Sequence, residues 1–285
     1  MASKEVMPIG VFASIGEGLG AGLDRVKQMA VPTVQVPAPV PHLLTEKHAR
    51  SVRRQFKEAG IEITLVFCGY PGESYATIQA VRDTVGLVPP STRDERIEHT
   101  RKIADFAAAL GAPAIGIHAG FISEDWSSAD FDELAHVVKG VCDYASAMDL
   151  WVHLETGQET ADTLLHFLQA IDRANVAVNF DPANMILYGS GEPIEALRKV
   201  GKYVRSCHCK DAKWSNRPGQ EWGVEVPLGE GDVGIEAFLS TLIELGYKGP
   251  LTIEREISGE QQVRDIKKGV DLLQSLKKKL LKGRR

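Results

Sequence analysis

No apolar run in this chain reaches the length of a membrane-spanning helix, which argues against a membrane protein. The start, Met1 to Pro8, lacks the apolar stretch of a signal peptide, so a cytoplasmic location is expected. Cysteine is scarce: Cys68, Cys142, Cys207 and Cys209 show no disulfide-framework spacing, in keeping with a reducing compartment. An excess of basic residues is also missing. With 33 Lys and Arg against 38 Asp and Glu the net charge is −5, which argues against a nucleic-acid partner. No Gly-x-Gly-x-x-Gly turn follows the first apolar segment; Gly16, Gly18, Gly20 and Gly22 have the wrong spacing and read as a flexible first loop rather than a phosphate cradle.

What is present is ordinary in bulk and regular in order. At 285 residues, 44% hydrophobic and 25% charged, the chain can bury a sizeable core. Short β-branched segments alternate with amphipathic ones: Pro8 to Ala13, Thr33 to Val36, Ile61 to Phe67, Ala114 to His118, Leu150 to Glu155, Val176 to Asp181, Tyr203 to His208 and Pro250 to Arg255. Helices are expected to begin near Ala21, Thr45, Ser91, Ser128, Thr160, Pro193, Ile235 and Glu260. This alternation predicts an α/β protein with a parallel sheet, and eight units of this size predict closure into a single (β/α)8 TIM barrel spanning residues 1–285 as one domain. A basic helical tail from about residue 275, carrying Lys277 to Arg285, reads as a solvated helix end whose lysines complement the helix dipole.

Strand periodicity sorts the side chains. His153 and Glu155 share one face while Val152 and Leu154 take the other. By the same alternation Asn179 pairs with Asp181, Ser206 with His208 and Lys210, Thr252 with Glu254 and Glu256, and Gly116 with His118. Each of the later strands therefore ends in an ionisable or metal-binding group. Three carboxylates and a histidine converging at strand ends are most simply compensated by a divalent cation. Cys207 and Cys209 flank His208 at i±1, so they point away from it and read as buried thiols under the helices rather than zinc ligands. Two long connections, Cys68 to Pro90 and Asp211 to Gly231, have the length of lids or binding loops. Asp232 reads as a helix cap or a functional residue.

These residues resemble the sugar phosphate isomerase/epimerase family of xylose isomerase-like TIM barrels. The resemblance runs from His118 to Glu256, through His118-Ala119-Gly120-Phe121, His153-Leu154-Glu155-Thr156-Gly157-Gln158, Asn179-Phe180-Asp181-Pro182-Ala183-Asn184, His208-Cys209-Lys210-Asp211, Gly229-Glu230-Gly231-Asp232 and Ile253-Glu254-Arg255-Glu256. It implies one divalent metal ion held by Glu155, Asp181, His208 and Glu254. Such a donor set suits Mn²⁺ first, with Mg²⁺, Co²⁺ or Zn²⁺ as alternatives. It further implies that Glu155 and Glu254 exchange a proton next to a carbonyl through a metal-stabilised enediolate. The substrate would be a sugar, sugar phosphate or keto-cyclitol, and the assembly a homodimer or homotetramer.

Where many ketose epimerases of this family place a histidine three residues after the sixth-strand aspartate, this chain has Asn184. A metal-dependent lyase or dehydratase of a keto-sugar or inosose therefore stands beside the isomerase reading, with an endonuclease IV-like nuclease and a non-catalytic sugar-binding barrel behind them. Candidate substrate-binding residues are His118, Gln158, Asn184, Lys210 and Arg217; His118 reads equally as a core histidine, and Lys210 equally as a counter-ion for the carboxylates.

Overall fold

A computed structural model describes residues 5–13 and 18–282 of the chain. Gly16, and the end of the basic run at Arg284 and Arg285, lie outside the described residues. The barrel strands are β1 (Ile9–Phe12), β2 (Thr33–Pro37), β3 (Glu62–Phe67), β4 (Ala114–Ile117), β5 (Trp151–Glu155), β6 (Val176–Phe180), β7 (Val204–Cys209) and β10 (Leu251–Ile253). They form a closed parallel barrel in the order β1-β10-β7-β6-β5-β4-β3-β2, sealed where Ile9 stands opposite Leu251. Between β7 and β10 the chain adds an antiparallel pair, β8 (Asp211–Lys213) with β9 (Val224–Val226).

The helices are α1 (Gly18–Met29), α2 (Glu46–Glu58), α3 (Ile78–Thr84), α4 (Pro90–Leu110), α5 (Ala129–Ser146), α6 (Ala161–Ile171), α7 (Pro182–Tyr188), α8 (Pro193–Val200), α9 (Ile235–Glu244) and α10 (Glu260–Lys282). Side-chain caps set several starts. Thr45, Ser128 and Thr160 accept from His48, Phe131 and Thr163 N–H groups at the heads of α2, α5 and α6. The glycine-rich segment is helical from Gly18 onward, earlier than the start expected near Ala21, which corrects its reading as loop. Asp232 is not a cap: Gly234 occupies the N-cap of α9, and Asp232 accepts instead from Trp214 N at 3.0 Å. In α10, Lys277 ties back to Glu5 and to Met7 O, and Lys279 reaches Glu236, so these lysines bind the last helix to the barrel as well as facing solvent.

Inside and outside of the barrel divide as strand alternation requires. Val34, Val36, Ile115, Ile117, Val152, Leu154, Val178 and Phe180 join the helices in one apolar layer, together with Cys207 and Cys209. The interior has an apolar half, where Phe12, Leu65 and Phe67 cluster, and a polar half on β5, β6, β7 and β10. Low in that polar half, His153 Nδ1 lies 2.7 Å from Ser206 Oγ. Burial, with Arg205 adding repulsion, pushes the His153 imidazole down to about 3 from an ordinary 6.5. The unfolded chain then takes up a proton that the native state refuses. This site's contribution to stability is whole above about pH 6.5 and is lost progressively toward pH 3. His153→Gln should flatten the acid limb of a denaturation-midpoint profile by about one proton; an unchanged slope would exclude this origin.

Asp211, at the start of β8, fixes the loop that follows β9. Its buried carboxylate accepts from the N–H groups of Ala212 (3.0 Å), Gly229 (2.9 Å), Gly231 (3.0 Å) and Val233 (3.2 Å). Gly231 has to be glycine here, because a Cβ would stand 2.2 Å from Asp211 Oδ1. Asp211→Ala strands those donors, and urea denaturation should show a loss of about 3 kcal/mol, the scale of hydrogen bonds to a charged group.

Candidate metal centre

The C-terminal ends of four barrel strands supply the groups that meet. Glu155 closes β5, Asp181 follows β6, His208 lies in β7 and Glu254 follows β10. Each offers one ligand atom, and these four atoms lie within 4.8 Å of one another. His208 Nδ1 stands 2.6 Å from Glu155 Oε1, 3.3 Å from Glu254 Oε2 and 3.6 Å from Asp181 Oδ2. Even so, His208 Nδ1 and Asp181 Oδ2 are buried without a properly aligned hydrogen-bond partner. Two orphaned buried atoms aimed into a carboxylate-rich gap fit a divalent cation, which would satisfy both at once. The donors are oxygen and nitrogen, while the neighbouring thiols of Cys207 and Cys209 sit in the apolar layer.

Surrounding bonds hold these atoms in place. His208 Nε2 lies 2.7 Å from Gln35 Oε1, Gln35 Nε2 donates to Asn179 Oδ1 at 3.3 Å, and Asn179 Nδ2 donates to Glu155 Oε1 at 3.1 Å. This chain leaves Nδ1 as the His208 nitrogen facing the gap. Phe12 and Phe67 wall the ring, with centroids 5.7 and 5.4 Å away. Asp181 also serves as N-cap of α7, its Oδ1 accepting from Ala183 N at 2.8 Å and Asn184 N at 3.0 Å.

Charge is distributed unevenly. Burial alone would raise the Glu155 carboxyl, but His118 and His208 hold it well below the carboxylate range. Burial opposes charge on His118 too, yet contact of its Nε2 with Glu155 Oε2 carries it up to about 9. Asp181 is pushed up, by burial first and by Glu155, against the pull of Lys210 and His208. Lys210 is fully buried and reaches Glu254 Oε2 at 3.0 Å, Asn184 Oδ1 at 3.2 Å, Asp181 Oδ2 at 3.7 Å and also Glu256. Gln158 Nε2 lies 3.3 Å from His118 Nδ1 and donates to Tyr188 Oη at 3.2 Å.

His118, Gln158, Asn184 and Lys210 are thus brought to the cluster. Arg217 is not: its exposed guanidinium bonds Glu221 at 3.0 Å and Gln220 at 2.6 Å in its own loop. His118 and Asn184 also line a cavity of about 440 Å³ whose walls include Tyr75, Tyr188, Trp222, Glu225 and Glu256. Gln35 and Tyr188 are not among the residues that the sequence motifs single out. Gln35 carried a usable signal, since it alternates with Val34 and Val36 and must point inward. Tyr188 carried none, because its place depends on α7.

A model of the xylose isomerase-like TIM barrel family matches residues 23–276. The chain belongs to that family. A crystal structure of a xylose isomerase domain protein from Planctomyces limnophilus is 52% identical, with 97% of this chain and 99% of that one covered and a TM-score of 0.94. Curated relatives are matched over less than two thirds of their own length. Among them is an inosose dehydratase of Clostridium botulinum, 25% identical over 151 residues, 48% of this chain and 49% of that one. A D-tagatose 3-epimerase-like protein shares the barrel at 18% identity, with 98% of this chain and 100% of that one covered and a TM-score of 0.78. In this chain the clustered side chains Glu155, Asp181, His208 and Glu254 lie at or just past the C-terminal ends of barrel strands. Among the described residues no helix is long and apolar enough to cross a membrane.

Proposed function

We propose that this protein moves a proton next to the carbonyl of a small carbohydrate, as a divalent-metal-dependent isomerase or epimerase. The observation that carries this reading is the convergence of Glu155, Asp181, His208 and Glu254, ligand atoms within 4.8 Å, beside a cavity of small-molecule size whose lining includes their contacts His118 and Asn184. When bound, a divalent ion such as Mn²⁺ supplies stabilisation of negative charge developing on substrate oxygens. Proton transfer falls to Glu155 and Glu254, both of which carry ordered donors. His118 Nε2 meets Glu155 Oε2, and Lys210 Nζ donates to Glu254 Oε2. Gln158 and Tyr188 steady His118, and Asn184 offers its amide beside Lys210. Arg217 has no part in this scheme.

A lyase reading has its own support: the relative named an inosose dehydratase, and Asn184, which can bond a hydroxyl but cannot shuttle a proton. Both reactions begin with the same abstraction and diverge only if a leaving group lies beta to the carbanion. Mn²⁺-supplemented protein should be incubated with ketoses and keto-cyclitols in D₂O. Deuterium in recovered ketose marks the isomerase, loss of water marks the lyase, and absence of both across the panel counts against the proposal.

A further inference from the structure

We infer that the cavity is built for an uncharged polyhydroxy ketone and discriminates against its phosphorylated counterpart, an inference that rests on the proton-transfer reading above. Among the described residues lining the cavity there is no lysine or arginine. The cations in contact with its lining carboxylates are committed already. Lys210 is buried against Glu254, Glu256 and Asn184, and Arg255 is held by Glu225 at 2.9 Å and Asp265 at 3.0 Å. Facing the cavity instead are two carboxylates, Glu225 and Glu256. Glu256 is substantially exposed there, its side chain retaining 58% of its accessible surface.

The cations of the site are already paired. Glu155, Asp181, Glu225, Glu254 and Glu256 stand against a divalent ion, Lys210, Arg255 and the His118 imidazole that contacts Glu155, so each cation is already matched by a carboxylate and none is left over for a phosphate. A phosphate dianion entering this cavity meets the Glu225 and Glu256 carboxylates with no lining lysine or arginine to receive it. Like-charge juxtaposition of this kind is an effective means of rejecting a wrong partner. Hydroxyl groups fare better, because each donates to a carboxylate oxygen and accepts from the neutral donors present, the phenols of Tyr75 and Tyr188 and the Trp222 indole. Those rings also form an apolar wall, with Tyr188 and Trp222 centroids 4.6 Å apart, against which the C–H face of a sugar can pack.

The test compares matched pairs, D-fructose with D-fructose 6-phosphate and D-ribulose with D-ribulose 5-phosphate, on the Mn²⁺-loaded full-length protein. Binding is read by calorimetry and proton exchange by deuterium uptake. In each pair the free sugar should bind at least about tenfold more tightly than the phosphate ester. Glu256→Gln, whose amide oxygen can still accept from Lys210 so that the fold is kept, should narrow that gap several-fold. A phosphate ester that binds as well as its free partner, or a gap unmoved by E256Q, overturns the inference. The two proposals also fail separately: a preserved preference for the free sugar with no exchange sinks the reaction and leaves the substrate class standing, whereas exchange confined to the phosphate ester does the reverse.

Discussion

Glu155→Gln is expected to cut solvent-deuterium incorporation by at least about 1,000-fold while leaving the barrel folded. The rate scale follows from general acid/base catalysis, which contributes roughly 100-fold to 10,000-fold, and this residue would also lose its charge as a metal ligand. Folding should survive because an amide keeps the oxygen that Asn179 Nδ2 bonds at 3.1 Å and that His208 Nδ1 approaches at 2.6 Å, and turns its new donor toward His118 Nε2. Glu254→Gln should lose comparable activity from the opposite side of the gap. Lys210, deprived of one carboxylate, still has Glu256 and Asp181. Under the proposed mechanism the two glutamates act on one carbon, so their effects should not add: the double variant should be about as slow as the worse single one. Full exchange in either single variant removes that residue from the chemistry, and strictly additive losses would mean that the two do not work as a unit.

The parts legible from sequence are those set by strand alternation. In Trp151–Glu155 and Val204–Cys209 a period of two separates Val152, Leu154, Cys207 and Cys209, which pack under helices, from His153, Glu155, Ser206 and His208, which point inward. That single periodicity was enough to locate the barrel interior and the four converging groups. Harder to see were elements too short or too buried to show a pattern. All seven residues of α7 are buried, so it has no polar face, and Pro182 suits the end of a strand as well as the first helical turn after an Asp cap. The strands β8 and β9 span three residues each, below the length at which alternation can be recognised. The cavity wall of Tyr75, Tyr188 and Trp222 depends on how these same elements pack. Arg217 shows the reverse error: a loop arginine looked available, but Glu221 and Gln220, four and three residues on, satisfy its donors locally.

The second large effect is expected at Asp181, where one side chain has two separable duties. Its Oδ1 caps α7, while Oδ2 faces the ligand gap without a hydrogen-bond partner. Asparagine keeps a capping oxygen and discards the charge, so Asp181→Asn isolates the second duty; Asp181→Ala removes both. Without metal, Asp181 is a buried acid beside Glu155, its carboxyl pushed up by burial and by that neighbour. Asp181→Asn should therefore melt no lower than wild type in EDTA, and Asp181→Ala should be weaker by about 1 kcal/mol, the value of a cap. Addition of Mn²⁺ at about 100 times its dissociation constant should stabilise the wild type by about 2.7 kcal/mol, because the ion binds only the folded cluster. Neither variant should recover that gain at the same concentration. Thermal melts of the three proteins with EDTA and with Mn²⁺ make the comparison. If Asp181→Asn rises with Mn²⁺ as far as wild type does, Oδ2 is not a ligand and the centre must be redrawn around the remaining three groups. If it falls in EDTA as far as Asp181→Ala, the capping oxygen has been lost with the charge and the two duties are not separable.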